Sequence, residues 1–347
     1  MELVNVFDYE AAAAATLGPG PLGYFAGGAG DEVTLRENVA AYGRYLLRPH
    51  VLVDVGACTT TTTVLGREIA MPLLVAPVAF QRLAHPDGEV ATARAALAAG
   101  TIMCLSTIAT ASPAEVAETG AHRWFQLYAM RDHALTTELI EQARSSGYSA
   151  LLLTVDAPVP GRRERDLRTA VALPPELKVA SLGRGDLTPA DVLRFVSPSL
   201  TWDDVERIRA ESRMPLLLKG VQTGEDARRA CEVGVAGIVV SNHGGRQLDG
   251  VAATIDLLPE IVAAVDGRVE VLLDGGIRRG VDVVKALALG ARAVLVGRPA
   301  LWGLAVAGEE GVRSVLGLLQ AEILNALQLL GCPSPDDVTA AHISPRS

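Results

Sequence analysis

Apolar residues run along this chain in short unbroken blocks rather than in strict alternation. From about residue 70 the blocks are Leu73–Ala79, Ile102–Thr107, Trp124–Tyr128, Leu151–Asp156, Leu216–Gly220, Ile238–Asn242, Val271–Gly276 and Val294–Pro299, eight in all. Continuous apolar runs fit strands buried on both faces of a parallel sheet. Between them lie alanine-rich stretches of helical character, among them Gly88–Ala99, His133–Ser145, Glu225–Glu232 and Val281–Leu289. Strand alternating with helix predicts a parallel α/β architecture, and eight units favour closure into a (β/α)₈ TIM barrel over an open sheet.

Two stretches break the rhythm. Residues 1–70 form an N-terminal extension with a helix near Tyr9–Leu17 and a glycine-rich turn ending in Gly27-Gly28-Ala29-Gly30. Its β-branched run Thr59–Thr63 reads as a short strand. The extension is expected to cover the bottom or one side of the barrel. Between the fourth and fifth strands roughly 60 residues stand where a single helix is usual. Within them, about 165–200 carries Pro174-Pro175 and Gly183-Arg184-Gly185 with little periodicity, which predicts a lid loop. A barrel of this kind accommodates all 347 residues as a single domain.

Composition narrows the function. An apolar share of 49% suits a large buried core, and a net charge of −9 without a basic stripe argues against nucleic acid. The start, Met1-Glu2-Leu3-Val4-Asn5, has no signal-peptide character. No apolar run reaches the roughly 18 residues of a membrane span, so no membrane association is expected. Cys58, Cys104, Cys231 and Cys332 share no ligand spacing, which predicts reduced thiols in a cytoplasmic protein and no metal site.

Active sites in such barrels lie at the C-terminal strand ends. Those ends here carry Ser106, Gln126 and Tyr128, Thr154 and Asp156, Lys219, Ser241 to Arg246, Asp274, and Gly297-Arg298. Asp274-Gly275-Gly276-Ile277-Arg278 is a glycine turn entering a helix, and with Gly297-Arg298 it makes a phosphate-binding corner. The phosphate belongs to either a cofactor or a substrate. His243, with glycines behind it, suits a general base, with Asp156 to orient an imidazolium. Arg246 can grip a carboxylate, and Arg162 and Arg163 together offer a second clamp. Arg165 and Arg168 read as solvated charges beside Glu164 and Asp166. Lys219 can either form a Schiff base or lend charge to an anionic cofactor. Tyr24 and Tyr128 are open to a packing role.

The run Ser241-Asn242-His243-Gly244-Gly245-Arg246-Gln247-Leu248-Asp249, supported by Ala76-Pro77, Ala84-His85-Pro86, Thr154-Val155-Asp156, Gly161-Arg162-Arg163 and Asp274–Arg278, resembles the FMN-dependent 2-hydroxy acid oxidases and dehydrogenases. The resemblance covers nearly the whole chain, from Asn5-Val6 to His342-Ile343. It implies FMN as cofactor and His243 as the base, with Asp156 stabilising its charged form. It also implies Arg163, Arg246 and Tyr24 on the substrate carboxylate and Tyr128 near the reacting hydroxyl. Pro77, Val78, Ala79, Ser106, Gln126, Thr154 and Ser241 would surround the isoalloxazine, with Lys219 at its pyrimidine edge. Asp274, Gly275, Gly276, Arg278, Gly297 and Arg298 would hold the ribityl phosphate. Ile108 replaces the tryptophan that narrows the glycolate oxidase pocket, and Val78 replaces its hydroxyl-bearing threonine, so a larger or more apolar acid is expected. The lid also looks shorter than in glycolate oxidase.

The leading expectation is oxidation of an (S)-2-hydroxy acid with O₂ as acceptor, giving hydrogen peroxide, in a homo-oligomer such as a tetramer. Ala79, where mandelate dehydrogenases carry glycine, leans toward oxidase. The alternatives are a soluble dehydrogenase with a quinone, cytochrome or other acceptor, a Lys219 Schiff-base lyase on a phosphorylated substrate, and a flavin-binding scaffold without activity.

Overall fold

The computed structural model describes residues 3–169, 174, 176–183 and 194–346. Eight parallel strands close into a barrel: β1 Leu73–Val75, β2 Ile102–Ser106, β3 His122–Leu127, β4 Leu151–Thr154, β5 Leu216–Val221, β6 Gly237–Val240, β7 Glu270–Asp274 and β8 Ala293–Val296. Neighbours pair in chain order, and β8 closes the ring on β1 through Val294–Leu73, Leu295–Leu74 and Val296–Val75. Several apolar blocks extend beyond their strands at the C-terminal end. Ladder pairing stops at Val75, Thr154, Val240, Asp274 and Val296, and the chain then turns across the mouth.

Because side chains alternate along a strand, one parity fills the barrel interior. Leu74, Cys104, Trp124, Leu152, Leu217 and Leu272 belong to that interior cluster. Their alternates, such as Leu73, Met103, Phe125, Leu151 and Leu218, join the larger layer between strands and helices. Both sets are buried, which is why the strands read as unbroken apolar runs.

The extension reaches both ends of the barrel, so the expected cover of the bottom is joined by a second one at the mouth. The bottom is covered by a hairpin of Thr62–Val64 against Arg67–Ile69, whose turn residue Leu65 donates its N–H to Glu270 at the start of β7. Only Thr62 and Thr63 of the Thr59–Thr63 run are in that strand; Thr60 instead donates its hydroxyl to the Ala70 carbonyl. Helices Val6–Thr16, Pro19–Ala26 and Val33–Ala40 precede it, and Tyr24 and Phe25 of the second line the mouth. Asn5 caps the first, accepting from the N–H groups of Phe7 and Asp8.

Of the expected lid at about 165–200, the described part contains a helix Glu164–Thr169, a 3₁₀ turn Ala180–Leu182 and a bridge between Val196 and Met130. Ser181 donates its hydroxyl to the Thr107 carbonyl, and Ala180 donates its N–H to the Ala109 carbonyl at 3.0 Å. These bonds place the segment over the second strand's loop. Pro175 and Arg184-Gly185 lie outside the described residues. No helix among the described residues is long and apolar enough to cross a membrane.

Candidate active site

Continuing the inward parity by one step puts a polar layer on top of the apolar interior. Ser106, Gln126, Thr154, Lys219, Ser241 and Asp274 occupy it, all buried. They are tied in two groups. Ser106 Oγ donates to Gln126 Oε1 at 3.2 Å, and Gln126 Nε2 donates to Thr154 Oγ1 at 3.0 Å. Opposite, Lys219 Nζ donates to Ser241 Oγ at 2.8 Å and pairs with Asp274 Oδ2 at 2.9 Å. Burial disfavours the ammonium, but Asp274 and Asp156 outweigh it and hold Lys219 above its ordinary value. A Schiff-base lysine must offer a neutral amine, so this pinned cation removes the basis of the lyase alternative.

Above this layer, one pocket gathers residues from all along the chain. Its empty space, open mouth included, is ≈ 1140 Å³. Pro77, Val78, Ala79, Ser106, Ile108, Gln126, Tyr128, Thr154, Arg163, Lys219, His243, Arg246 and Tyr24 line it together with Asp274, Gly275, Gly276, Arg278, Gly297 and Arg298. Two expected residues lie behind the wall. Ser241, expected against the isoalloxazine, is fully buried and instead accepts from Lys219 and from the His243 N–H at 3.1 Å. Asp156 backs His243. Arg163 is buried at the pocket but Arg162 is exposed, so of the pair expected to form a second clamp only Arg163 faces inward. Arg165 pairs with Glu32, and the exposed Arg168 pairs with Glu164.

His243 stands in the left-handed region at φ 60°, followed by Gly244 and Gly245 at positive φ. Such a conformation is uncommon for a side-chain-bearing residue and marks a position held by its surroundings. Its Nδ1 lies 2.9 Å from Asp156 Oδ1. A carboxylate only accepts, so Nδ1 carries the proton and Nε2 keeps its lone pair. Burial raises the Asp156 carboxyl, but His243 and Lys219 outweigh it and hold it below its ordinary value. Burial, with Lys219 and Arg163, pushes the imidazole below its ordinary 6.5 despite Asp156. His243 is therefore neutral and proton-accepting at neutral pH. Gly220 allows this pairing: at φ 110° it has no side chain to meet Asp156, whose Cβ would lie 2.6 Å from an added one.

Two guanidiniums share the same wall. Arg246 Nη1 donates to the carbonyls of Tyr24 and Gly27, and its guanidinium sits 4.9 Å from the Tyr24 ring centre. Arg163 Nε donates to the Arg246 carbonyl at 3.2 Å. Burial and the neighbouring Arg163 push Arg246 down to about 10, so it stays a cation through the neutral range. Asp166, 3.5 Å from Arg163, is the carboxylate beside them. Tyr128 is buried, and burial with Asp156 raises its hydroxyl, so it remains a donor.

At the phosphate corner, Gly275 and Gly276 adopt φ 104° and 80°, and an added Cβ on Gly276 would lie 1.8 Å from the Asn38 carbonyl oxygen. Asp282 accepts from the N–H groups of Arg278 and Arg279 at 3.0 Å. Arg298 spends Nε, Nη1 and Nη2 on the carbonyls of Phe25, Gly244 and Gly27, so its side chain also ties the extension to the His243 loop. The buried Arg278 Nε and Asp274 Oδ1 are without hydrogen-bond partners. Arg278 Nε lies 3.6 Å from the Glu10 carboxylate, beyond hydrogen-bond reach. A free guanidinium donor and a free carboxylate acceptor lining one pocket fit a phosphate and a polyol. The sequence reading missed Phe25, Phe80 and Leu301, which complete the apolar wall. It also missed Asn38, whose amide exchanges two hydrogen bonds with Asn242 at 2.9 and 2.8 Å. Lone residues in loops distant along the chain left no periodic signal.

The profile of the family described as FMN-dependent dehydrogenase matches residues 13–345. An L-lactate oxidase of Nostoc sp. is 52% identical over 98% of this chain and 98% of its own. A 2-hydroxyacid oxidase of Homo sapiens is 47% identical over 95% and 93%. A solved mandelate oxidase with benzoyl-formic acid superposes with a TM-score of 0.93 at 45% identity, covering 99% of both chains. This full-length likeness, joined to a pocket whose unmet donor and acceptor suit a phosphorylated polyol, makes the chain a member of the FMN-dependent dehydrogenase family, with FMN as its cofactor.

Proposed function

We propose that this enzyme oxidises (S)-2-hydroxy acids to 2-oxo acids, passing the electrons to O₂. In balance, R–CHOH–COO⁻ and O₂ give R–CO–COO⁻ and H₂O₂. The observation that carries the reading is the His243–Asp156 pair at 2.9 Å, set beside two buried guanidiniums in one pocket. Arg163 and Arg246 bind the carboxylate, and Tyr128 donates toward the hydroxyl oxygen. His243 Nε2 accepts the proton, and Asp156 stabilises the resulting imidazolium. FMN, when bound, supplies the two-electron acceptor. Arg278, Asp274 and the glycine turn would hold its phosphate and ribityl chain, and Lys219 would set a positive charge against its ring. The test is acid release of FMN from the purified yellow protein, followed by a screen of 2-hydroxy acids with and without O₂. A colourless protein that gains no activity from FMN contradicts the reading, as does turnover that consumes no O₂.

The buried Ile108 and the neighbouring Val78 support an acid with an apolar side chain larger than that of glycolate. Ile108→Trp is expected to shift preference toward glycolate by at least the roughly 10–200-fold that one methylene commands in an apolar pocket. An unmoved ratio of glycolate to mandelate efficiency places Ile108 outside the substrate's reach.

The depressed imidazole also sets a pH dependence. The base is lost when His243 gains a proton, so kcat/KM should fall as pH drops through a midpoint below 6.5 and stay level above it. A midpoint above 6.5 contradicts the burial argument.

A homo-oligomer, such as a tetramer, has support in the exposed apolar residues Val51, Leu52 and Leu329, and light scattering of the holoenzyme tests it. A cytoplasmic setting, within which the whole chain acts as one catalytic domain, is favoured by four unpaired cysteines.

A further inference from the structure

Glu89 is fully buried in the first turn of the helix Gly88–Ala98, outside the pocket and unused by the chemistry above. Its carboxylate joins two loops that do line the pocket. Oε1 accepts from the Gln81 N–H at 3.1 Å and from the Thr110 N–H at 2.8 Å, and Oε2 accepts from the Thr110 hydroxyl at 2.6 Å. Gln81 ends the loop that follows β1, and its Nε2 donates to the Val78 carbonyl at 3.3 Å. Thr110 ends the loop that follows β2 and carries Ile108. The loops also touch directly, because Phe80 donates its N–H to the Ile108 carbonyl at 3.1 Å. Phe80 does so from the left-handed region at φ 55°, a conformation that needs support from its surroundings.

We propose that Glu89 is a positioning residue for substrate selectivity. Its carboxylate clamps the Val78 loop to the Ile108 loop and so sets the width of the wall that faces the substrate's side chain. The inference rests on reading this pocket as the 2-hydroxy acid site. A carboxylate suits the task because it accepts at both oxygens; burial raises its pKa, and the bonds from Thr110 and Gln81 partly offset that. Glutamine keeps one acceptor but turns an N–H toward the Thr110 hydroxyl. That hydroxyl already accepts from the Arg82 N–H at 3.2 Å, so its own proton loses its acceptor.

The test uses FMN-loaded wild type, Glu89→Gln and Thr110→Val. Spectral titration of the bound flavin with pyruvate and with benzoylformate gives a Kd for a small and a bulky 2-oxo acid without turnover. Both variants are expected to retain FMN and to shift the small-to-bulky preference toward the bulky acid by about tenfold, the scale of a methylene-sized change in an apolar pocket. The kcat/KM ratio of lactate to mandelate should follow. If Glu89→Gln loses FMN, Thr110→Val, which deletes one hydroxyl at constant volume, decides the matter. A preference within about twofold of wild type, a shift toward the small acid, or an equal weakening of both, overturns the proposal. Wild type that binds neither acid overturns the reading of the pocket itself, a result separable from failure in the variants alone.

Discussion

Replacement of His243 by glutamine is expected to leave FMN bound while slowing anaerobic reduction of the flavin by substrate about 10²–10⁴-fold, the usual worth of a positioned base. Binding survives because the phosphate corner is built from other strand ends: Gly275, Gly276 and Arg278 follow β7, and Gly297 and Arg298 follow β8. The rate falls because the amide offers no basic lone pair where Nε2 stood, and Asp156 is left without an imidazole proton to accept. The loss exceeds that range if stabilisation of the imidazolium by Asp156 contributes separately. Residue 243 sits at φ 60°, so His243→Asn, which tolerates the left-handed region, is the control for backbone strain. Stopped-flow reduction that is near normal in both variants means that another group takes the proton.

Arg246→Met should raise KM about 10- to 100-fold and lower the rate as well, the range expected when a hydrogen bond to a charged group is lost. Part of this loss is local to the carboxylate, and part arises because Arg246 fastens the extension over the mouth. Its Nη1 holds the Tyr24 and Gly27 carbonyls at 2.5 and 2.8 Å, and its guanidinium lies against the Tyr24 ring. Methionine keeps the stem's bulk but releases both hydrogen bonds and the cation–ring contact. Arg163 remains as a second cation, so binding is weakened rather than abolished. Arg246→Lys restores charge without the forked geometry and should recover only a fraction of the affinity. Unchanged KM in Arg246→Met across several acids would place the carboxylate elsewhere in the pocket.

The eight strands, their parallel order and the polar strand ends were legible along the chain because they are local. A strand buried on both faces must be apolar throughout, and the groups at its C-terminal end that carry or hold charge stand out against that run. His243, Arg246, Asp274 and Lys219 were therefore identifiable from position alone, and the family resemblance added their roles. The tertiary structure decided what depends on residues far apart in the chain. Register and parity placed Lys219 against both Ser241 and Asp274, and so fixed its charge, whereas position on β5 left two chemistries open. Ser241 shares that inward parity, but its hydroxyl is taken up by Lys219 and by the His243 N–H, which keeps it behind the wall. The extension's helices crossed to the mouth because Arg246 and Arg298 have their carbonyl acceptors there, at Tyr24, Phe25 and Gly27. Asn38, Glu89 and Gln81 carry no periodicity or motif of their own. Only folding brings their hydrogen-bonding groups to the loops they join, where burial leaves those groups no solvent to bond with.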